Sequence, residues 1–307
     1  MKAAAPGKLV ISGAYAVLEG APAIVSAVNR YVRCDSERAA EVVTAEVRAA
    51  LPHGPVPHFD ASELRADDRK LGLGSSAAIL VASLAAVRGA EFADDEALRE
   101  AIEGPALLAH RQAQGGGSGI DVVASTRGGT LIVRRRSPEA LEVRSATLPA
   151  DLIVEAWASS ISASTADLLA SVGRFRAQRP LDYEDVMGAL SAAARRAADA
   201  LTGGDARALI AELSSQREGL FRLGQASHVP IVTSEVCRLA AWAEPRDAAV
   251  LPSGAGGGDI VLWVSTQPSP PGFRALAVSL GHRHVPLALH ARGVSCTSRE
   301  SSPQRGE

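Results

Sequence analysis

The chain has 307 residues, 47% of them apolar, which suffices for two hydrophobic cores and excludes a single small unit. Its 32 basic and 34 acidic residues leave a formal charge of −2, which excludes capture of nucleic acid or an anionic membrane by a global field and favours a small-molecule ligand. Cys34, Cys237 and Cys296 stand far apart in no C-x-x-C spacing, which argues against a disulfide framework and against a zinc site.

Residues 1–9 carry two lysines but lack the apolar run of a signal peptide. No later stretch reaches the roughly 18 uncharged apolar residues of a membrane span, so a soluble cytoplasmic protein is expected, with monomer and homodimer both open. Residues 8–11 and 23–34 suit strands, the second ending in an alternation of Val28, Tyr31 and Val32 with polar neighbours. Residues 46–69 contain Pro52, Pro55 and Pro57 and then the charged run 63–70, and read as a surface loop. Residues 75–87 are Ala-rich and apolar nearly all round, which predicts a buried central helix with Ser at its N-cap, opening from a glycine loop. A second helix is predicted over 95–112, broken by GGGSG at 115–119 before the apolar run 120–124; Gly128-Gly129 then turns into a strand over 130–133.

A domain boundary is expected near residue 150, dividing the chain into 1–150 and 151–294. The second part should hold a strand at 152–158, three or four amphipathic helices within 165–243, a strand at 260–264, a helix near 272–280 and a last strand around 284–290. The class is α+β. Residues 295–307 are polar and aperiodic and are expected to be a frayed tail.

Three segments concentrate glycine: KLGLGSS at 70–76, QGGGSGID at 114–121 and SGAGGGD at 253–259. Glycines let successive backbone N–H groups converge on an anion, and a helix starting directly after them adds its dipole. The first segment has all of these parts, with Ser75 and Ser76 offering hydroxyls where a phosphate-bridging Mg²⁺ would sit. Each run alone also reads as a plain turn. Gly72, Gly74 and Ala77 satisfy a dinucleotide fingerprint as well, but the residues before them, Arg65-Ala66-Asp67-Asp68-Arg69-Lys70, cannot form the buried strand that fingerprint needs. The Walker pattern G-x-x-x-x-G-K-[ST] is absent.

Pro6-Gly7-Lys8-Leu9 with Gly13-Ala14-Tyr15-Ala16-Val17-Leu18-Glu19-Gly20, then Gly72-Leu73-Gly74-Ser75-Ser76-Ala77-Ala78, then Ser253-Gly254-Ala255-Gly256-Gly257-Gly258-Asp259, resemble the three ordered motifs of the GHMP kinase superfamily. With Ser118-Gly119-Ile120-Asp121 they cover nearly the whole chain in family order. The resemblance implies a ribosomal-protein-S5-like N-terminal domain, a ferredoxin-like C-terminal domain and ATP between them. Lys70 ahead of Gly72, and His110-Arg111-Gln112-Ala113-Gln114-Gly115 leading to Asp121, resemble the phosphomevalonate kinase branch. Mevalonate kinases carry a metal-binding glutamate where this chain has His110. The chain departs from many relatives at Ala14, where they have glutamate.

On that resemblance Lys8, Asp121 and Lys70 are the expected catalytic residues, and Gly72, Leu73, Gly74, Ser75, Ser76 and Ala77 the ATP-binding ones, with Ser76 also on Mg²⁺. Lys70, Ser118, Ser164, Thr165, Arg111, Gly254, Ala255 and Gly256 are the expected acceptor contacts, and Ser162 to Thr165 resembles a serine-rich turn that helps hold the acceptor. The expected function is ATP- and Mg²⁺-dependent phosphorylation of phosphomevalonate. A phosphate acceptor brings repulsion from ATP, about 4 kcal/mol for two like charges ~4 Å apart at an effective dielectric of ~20, so extra lysine matters more than a base. The alternatives are a mevalonate or other GHMP kinase acting on an alcohol, and a non-catalytic ligand sensor of the same fold.

Overall fold

The computed structural model describes residues 1–66, 69–137, 140–161 and 164–297. Its first sheet starts with β1 (Lys2–Ser12) and β2 (Pro22–Ala39), paired antiparallel from Lys2↔Asp35 to Ser12↔Ile24. The register shifts at Pro6/Gly7, where proline has no N–H to give the ladder. Alternate residues of β2 feed two clusters: Ile24 and Val28 pack with Leu9, Ile11 and the central helix, Ala23 and Val25 with Val10, Val123 and Leu131. Both faces of β2 are therefore covered, and its apolar run is nearly continuous for that reason.

Between β2 and the central helix lie α1 (Ala45–Ala50), β3 (Pro57–Asp60), β4 (Arg65–Ala66) and β5 (Arg69–Lys70). The loop expected over 46–69 is corrected to these short elements. Thr44 caps α1 by accepting from the Val47 N–H at 3.3 Å, β3 adds to the edge of β2, and β4 and β5 form a small exposed hairpin. Elements of two to six residues are too short to show periodicity against their prolines.

Then come α2 (Ser75–Arg88), α3 (Asp95–Gln114), α4 (Ile120–Arg127), β6 (Thr130–Arg135) and β7 (Leu141–Ala146). The α2 segment 77–82 is buried throughout, as its composition predicts. Its N-cap is Gly74 in the left-handed conformation, not serine, and no side chain caps the helix. The second sheet is built from β8 (Ile153–Ser159), β9 (Ala249–Pro252), β10 (Ile260–Ser265) and β11 (His282–Val285) in the order β11-β8-β10-β9, all antiparallel. α7 (Ala206–Ser227), α8 (Ser234–Ala243) and α9 (Pro271–Ser279) pack on it, while α5 (Thr165–Gln178) and α6 (Pro180–Thr202) pack against α7. The last predicted strand is shorter and earlier than 284–290.

The expectation of a frayed tail is corrected for its first residues. Ser295–Thr297 form β12, which pairs with β1 and gives the first sheet the order β12-β1-β2-β6-β7, with β3 off β2. An edge strand is held by backbone hydrogen bonds, so it needs no apolar periodicity. Residues 298–307 lie outside the described residues. One core cluster runs through both sheets, joining Leu9, Ile24 and Leu80 to Ala156, Leu251 and Leu262. No helix among the described residues is long and apolar enough to cross a membrane.

Candidate active site

A cleft of about 450 Å³ opens where β1, the N-termini of α2, α4 and α5, and the glycine turn after β9 converge. Lys8 pairs with Ala27 just after the register shift, and its N–H, pointing to the free side of β1, donates to the Leu73 carbonyl at 2.9 Å, fastening the glycine loop to the strand. Its side chain runs over that loop and ends 3.4 Å from the Gly72 carbonyl. Two glycines are required here. Gly74 has φ +74° and an added Cβ would lie 2.9 Å from Lys8 Cγ; Gly72 has φ +72° and a Cβ would lie 2.7 Å from the Asp259 Cβ. The loop is thus threaded between a lysine from β1 and an aspartate from the third glycine run. Uncapped by any side chain, the first N–H groups of α2 face the cleft as an anion cradle.

Other contacts bind the third run to the first sheet. The Ser253 hydroxyl accepts from Val10 N–H at 3.0 Å and donates to Val10 C=O at 2.9 Å. The Tyr15 hydroxyl donates to the Ala255 carbonyl at 2.7 Å, from a backbone at φ +60° that a tyrosine adopts only when its surroundings impose it. Gln216 of α7 accepts from the Gly13 N–H and the Ser12 hydroxyl, and Glu19 accepts from Arg176 of α5 and Tyr183 of α6.

The charges are tightly grouped. Burial disfavours the charged form of Lys8 and lowers its pKa, although Asp121 and Asp259 pull the other way. For Asp121 burial also opposes ionisation, but His110, Lys8 and the Val122 N–H outweigh it and hold the carboxyl down at about 2. His110 Nε2 lies 3.5 Å from Asp121 Oδ2. Desolvation works against its protonation, while Asp121 and Glu46 together leave its pKa raised.

Curated relatives match most of the chain, although no sequence-family model does. Phosphomevalonate kinase from Streptomyces sp. (strain CL190) is 30% identical, over 83% of this chain and 87% of its own. The chain belongs to the GHMP kinases. Mevalonate kinase from Archaeoglobus fulgidus is 29% identical, over 89% of this GHMP kinase and 95% of its own length. Both relatives are mevalonate-pathway kinases. The solved Streptococcus pneumoniae phosphomevalonate kinase in complex with phosphomevalonate and AMPPNP matches at TM-score 0.73 and 16% identity, covering 94% of this chain and 99% of that one, which shows a shared two-domain α+β fold.

Most residues singled out from sequence line this GHMP kinase's cleft: Lys8, Lys70, Gly72, Gly74, Ser75, Ser76, Ser118, Asp121, Ser164, Thr165, Gly254 and Ala255. Leu73 and Ala77 do not line it; their side chains are buried in the core, and Leu73 serves through its carbonyl. Gly256 abuts the Ile231 carbonyl instead. Arg111 is also absent from the lining: α3 turns about 100° per residue, so placing His110 in the cleft turns its neighbour away. Ser162 and Ala163 of the serine-rich turn lie outside the described residues.

Tyr15, Leu18, Gln114 and Leu169 line the cleft as well, and sequence reasoning had not placed them there; His110, which the sequence left open between acceptor contact and helix end, and Asp259, left open between metal contact and loop cap, also line it. For Tyr15 and Leu18 the signal was present in the first glycine motif. His110 carried only its spacing from Asp121. Leu169, one of many apolar residues on an amphipathic helix, had none.

Proposed function

We propose that this GHMP kinase transfers the γ-phosphoryl group of ATP to phosphomevalonate, giving diphosphomevalonate and ADP. The observation that carries the reading is that two lysines from separate elements, Lys8 of β1 and Lys70 of β5, line one cleft with the uncapped N-terminus of α2. Two phosphorylated substrates brought together need cations more than they need a base. The relative from Streptomyces, whose name states this activity, supports the choice of acceptor.

Asp121 supports it too. An alcohol must lose a proton during attack, and a useful base has a pKa near the working pH; a carboxyl held at about 2 is far from that. A phosphate monoester, with a second pKa of about 6, is already largely a dianion at neutral pH. In this reading Asp121 orients Lys8 and the acceptor, the α2 N–H groups hold the nucleotide phosphates, and Ser164 and Thr165 at the start of α5 meet the acceptor.

Among the described residues no cluster of three or more His, Cys, Asp or Glu could cage a metal. The Ser76 hydroxyl, a hard oxygen lining the cleft at the start of α2, fits Mg²⁺, a cation that takes few protein ligands and fills its shell with phosphate oxygens and water. Bound there, Mg²⁺ would neutralise charge on the transferring phosphoryl group.

The test is ADP release measured with phosphomevalonate, mevalonate and homoserine side by side. Turnover with phosphomevalonate is expected. Turnover with an alcohol alone overturns the acceptor, and nucleotide binding without ADP release for any of them favours the sensor.

A further inference from the structure

His110 is the one histidine lining the cleft, and the proposed chemistry leaves it without a task. Its side chain is 4% exposed, and its Nε2 forms no hydrogen bond of normal geometry although Asp121 Oδ2 stands only 3.5 Å away. A buried imidazole nitrogen in that state, aimed at a carboxylate, needs an explanation. The surrounding elements supply one. From α4 it faces Asp121, and from α1 it faces Glu46, whose carboxylate accepts from Gln114 Nε2 at 3.2 Å. The α2 helix, also packed on α3, has Arg88 as its single ionisable residue, at the far end and paired with Glu91. On α3 itself, neighbouring Arg111 does not line the cleft. Lys8 of β1 lies beyond Asp121 as that carboxylate's other cationic neighbour.

We propose that His110 is a positioning residue, a charged imidazolium seated between Asp121 and Glu46 that fixes the Asp121 carboxylate against Lys8. Asp121 stands 3.5 Å from the ring, and Glu46 of α1, whose charge also favours the imidazolium, is itself held by Gln114 from the turn of α3 that follows His110. A carboxylate with an imidazole nitrogen 3.5 Å away on one side and the field of the Lys8 ammonium on the other has less freedom to swing, and its charge in turn holds the Lys8 ammonium towards a transferring phosphoryl group. Neutral His110 could still donate one hydrogen bond, but the electrostatic grip would be gone. This inference rests on Lys8 and Asp121 as phosphoryl-transfer residues, and holds for a phosphate or an alcohol acceptor alike.

The test combines NMR titration of the ring nitrogens of the chain's 7 histidines with kinetics on whichever acceptor turns over. Resonances are assigned through backbone connectivities, so the NMR arm does not depend on any His110 variant folding. In the wild type His110 should titrate above the ordinary imidazole value. In Asp121→Asn its midpoint should fall, with a smaller fall in Glu46→Gln. In His110→Gln, kcat should drop about ten- to hundredfold with KM for ATP little changed. The wild-type kcat should decline on the alkaline side with the His110 midpoint, and the variant should lack that decline. His110 titrating at or below the ordinary imidazole value, with the same midpoint in Asp121→Asn, overturns the proposal, as does His110→Gln with wild-type kcat and pH profile. If phosphomevalonate is not turned over, the acceptor reading falls while the NMR result still decides this one.

Discussion

Lys8 lays its methylene stem across Gly74 and carries its ammonium between the Gly72 carbonyl and the carboxylates of Asp121 and Asp259, so its position is set by contacts along its whole length. Lys70, at the end of an exposed hairpin strand, has no such cradle and can follow a ligand. Lys70→Ala should therefore leave the fold intact and lower kcat/KM for a phosphate-bearing acceptor about 10- to 100-fold, with a smaller loss for an alcohol. Single-turnover rates with the two acceptors check this, and equal losses would deny Lys70 a role with the acceptor phosphate. Asp121 also carries a pH prediction. Its folded pKa of about 2 lies below the ordinary aspartate value of 3.8, so the folded protein gains stability from the charged form above the unfolded pKa and loses it as pH falls through the folded one. Urea midpoints measured from pH 4 down to pH 2 should fall more steeply in the wild type than in Asp121→Asn.

At the scale of elements, the glycine loop and α2 act together. The loop's left-handed residues turn the chain so that α2 begins with its N–H groups on the cleft, while the rest of the helix is anchored by buried residues such as Leu80 and Val81. Gly74→Ala would place a Cβ against the Lys8 stem and force φ +74° on an alanine. It should cost about 1–3 kcal/mol in urea unfolding and reduce kcat by displacing Lys8. A variant with unchanged stability and turnover would show that the loop has slack. The β1 strand has the complementary task, since Lys8, paired with Ala27, turns its N–H to the free side of the strand and holds Leu73.

For the whole molecule, the site depends on residues 243 positions apart in sequence meeting across two sheets. Ser253 answers both backbone groups of Val10 in a buried setting, so Ser253→Ala would leave a donor and an acceptor unpaired at the join. A loss of about 1–3 kcal/mol is expected, read from urea midpoints, together with a raised KM for both substrates as the third glycine run loosens. Loss of stability without any change in KM would separate the join from the site.

The three glycine motifs, the apolar α2, the amphipathic helices of the second half and the α+β class were all legible in the sequence, because each is written in local composition or period. Composition marked Ser76 in its glycine loop, while Lys8, Lys70 and Asp121 were singled out by the resemblance of their motifs to the GHMP kinases. It could not show α1, β9 or β12, whose few residues are selected by backbone pairing and caps contributed from elsewhere. Nor could it choose between His110 and Arg111. That choice was made by the rotation of α3 against α4, which turned one side chain onto Asp121 and its neighbour away. Sequence proposed the charges, and only the packing of helices settled which of them meet.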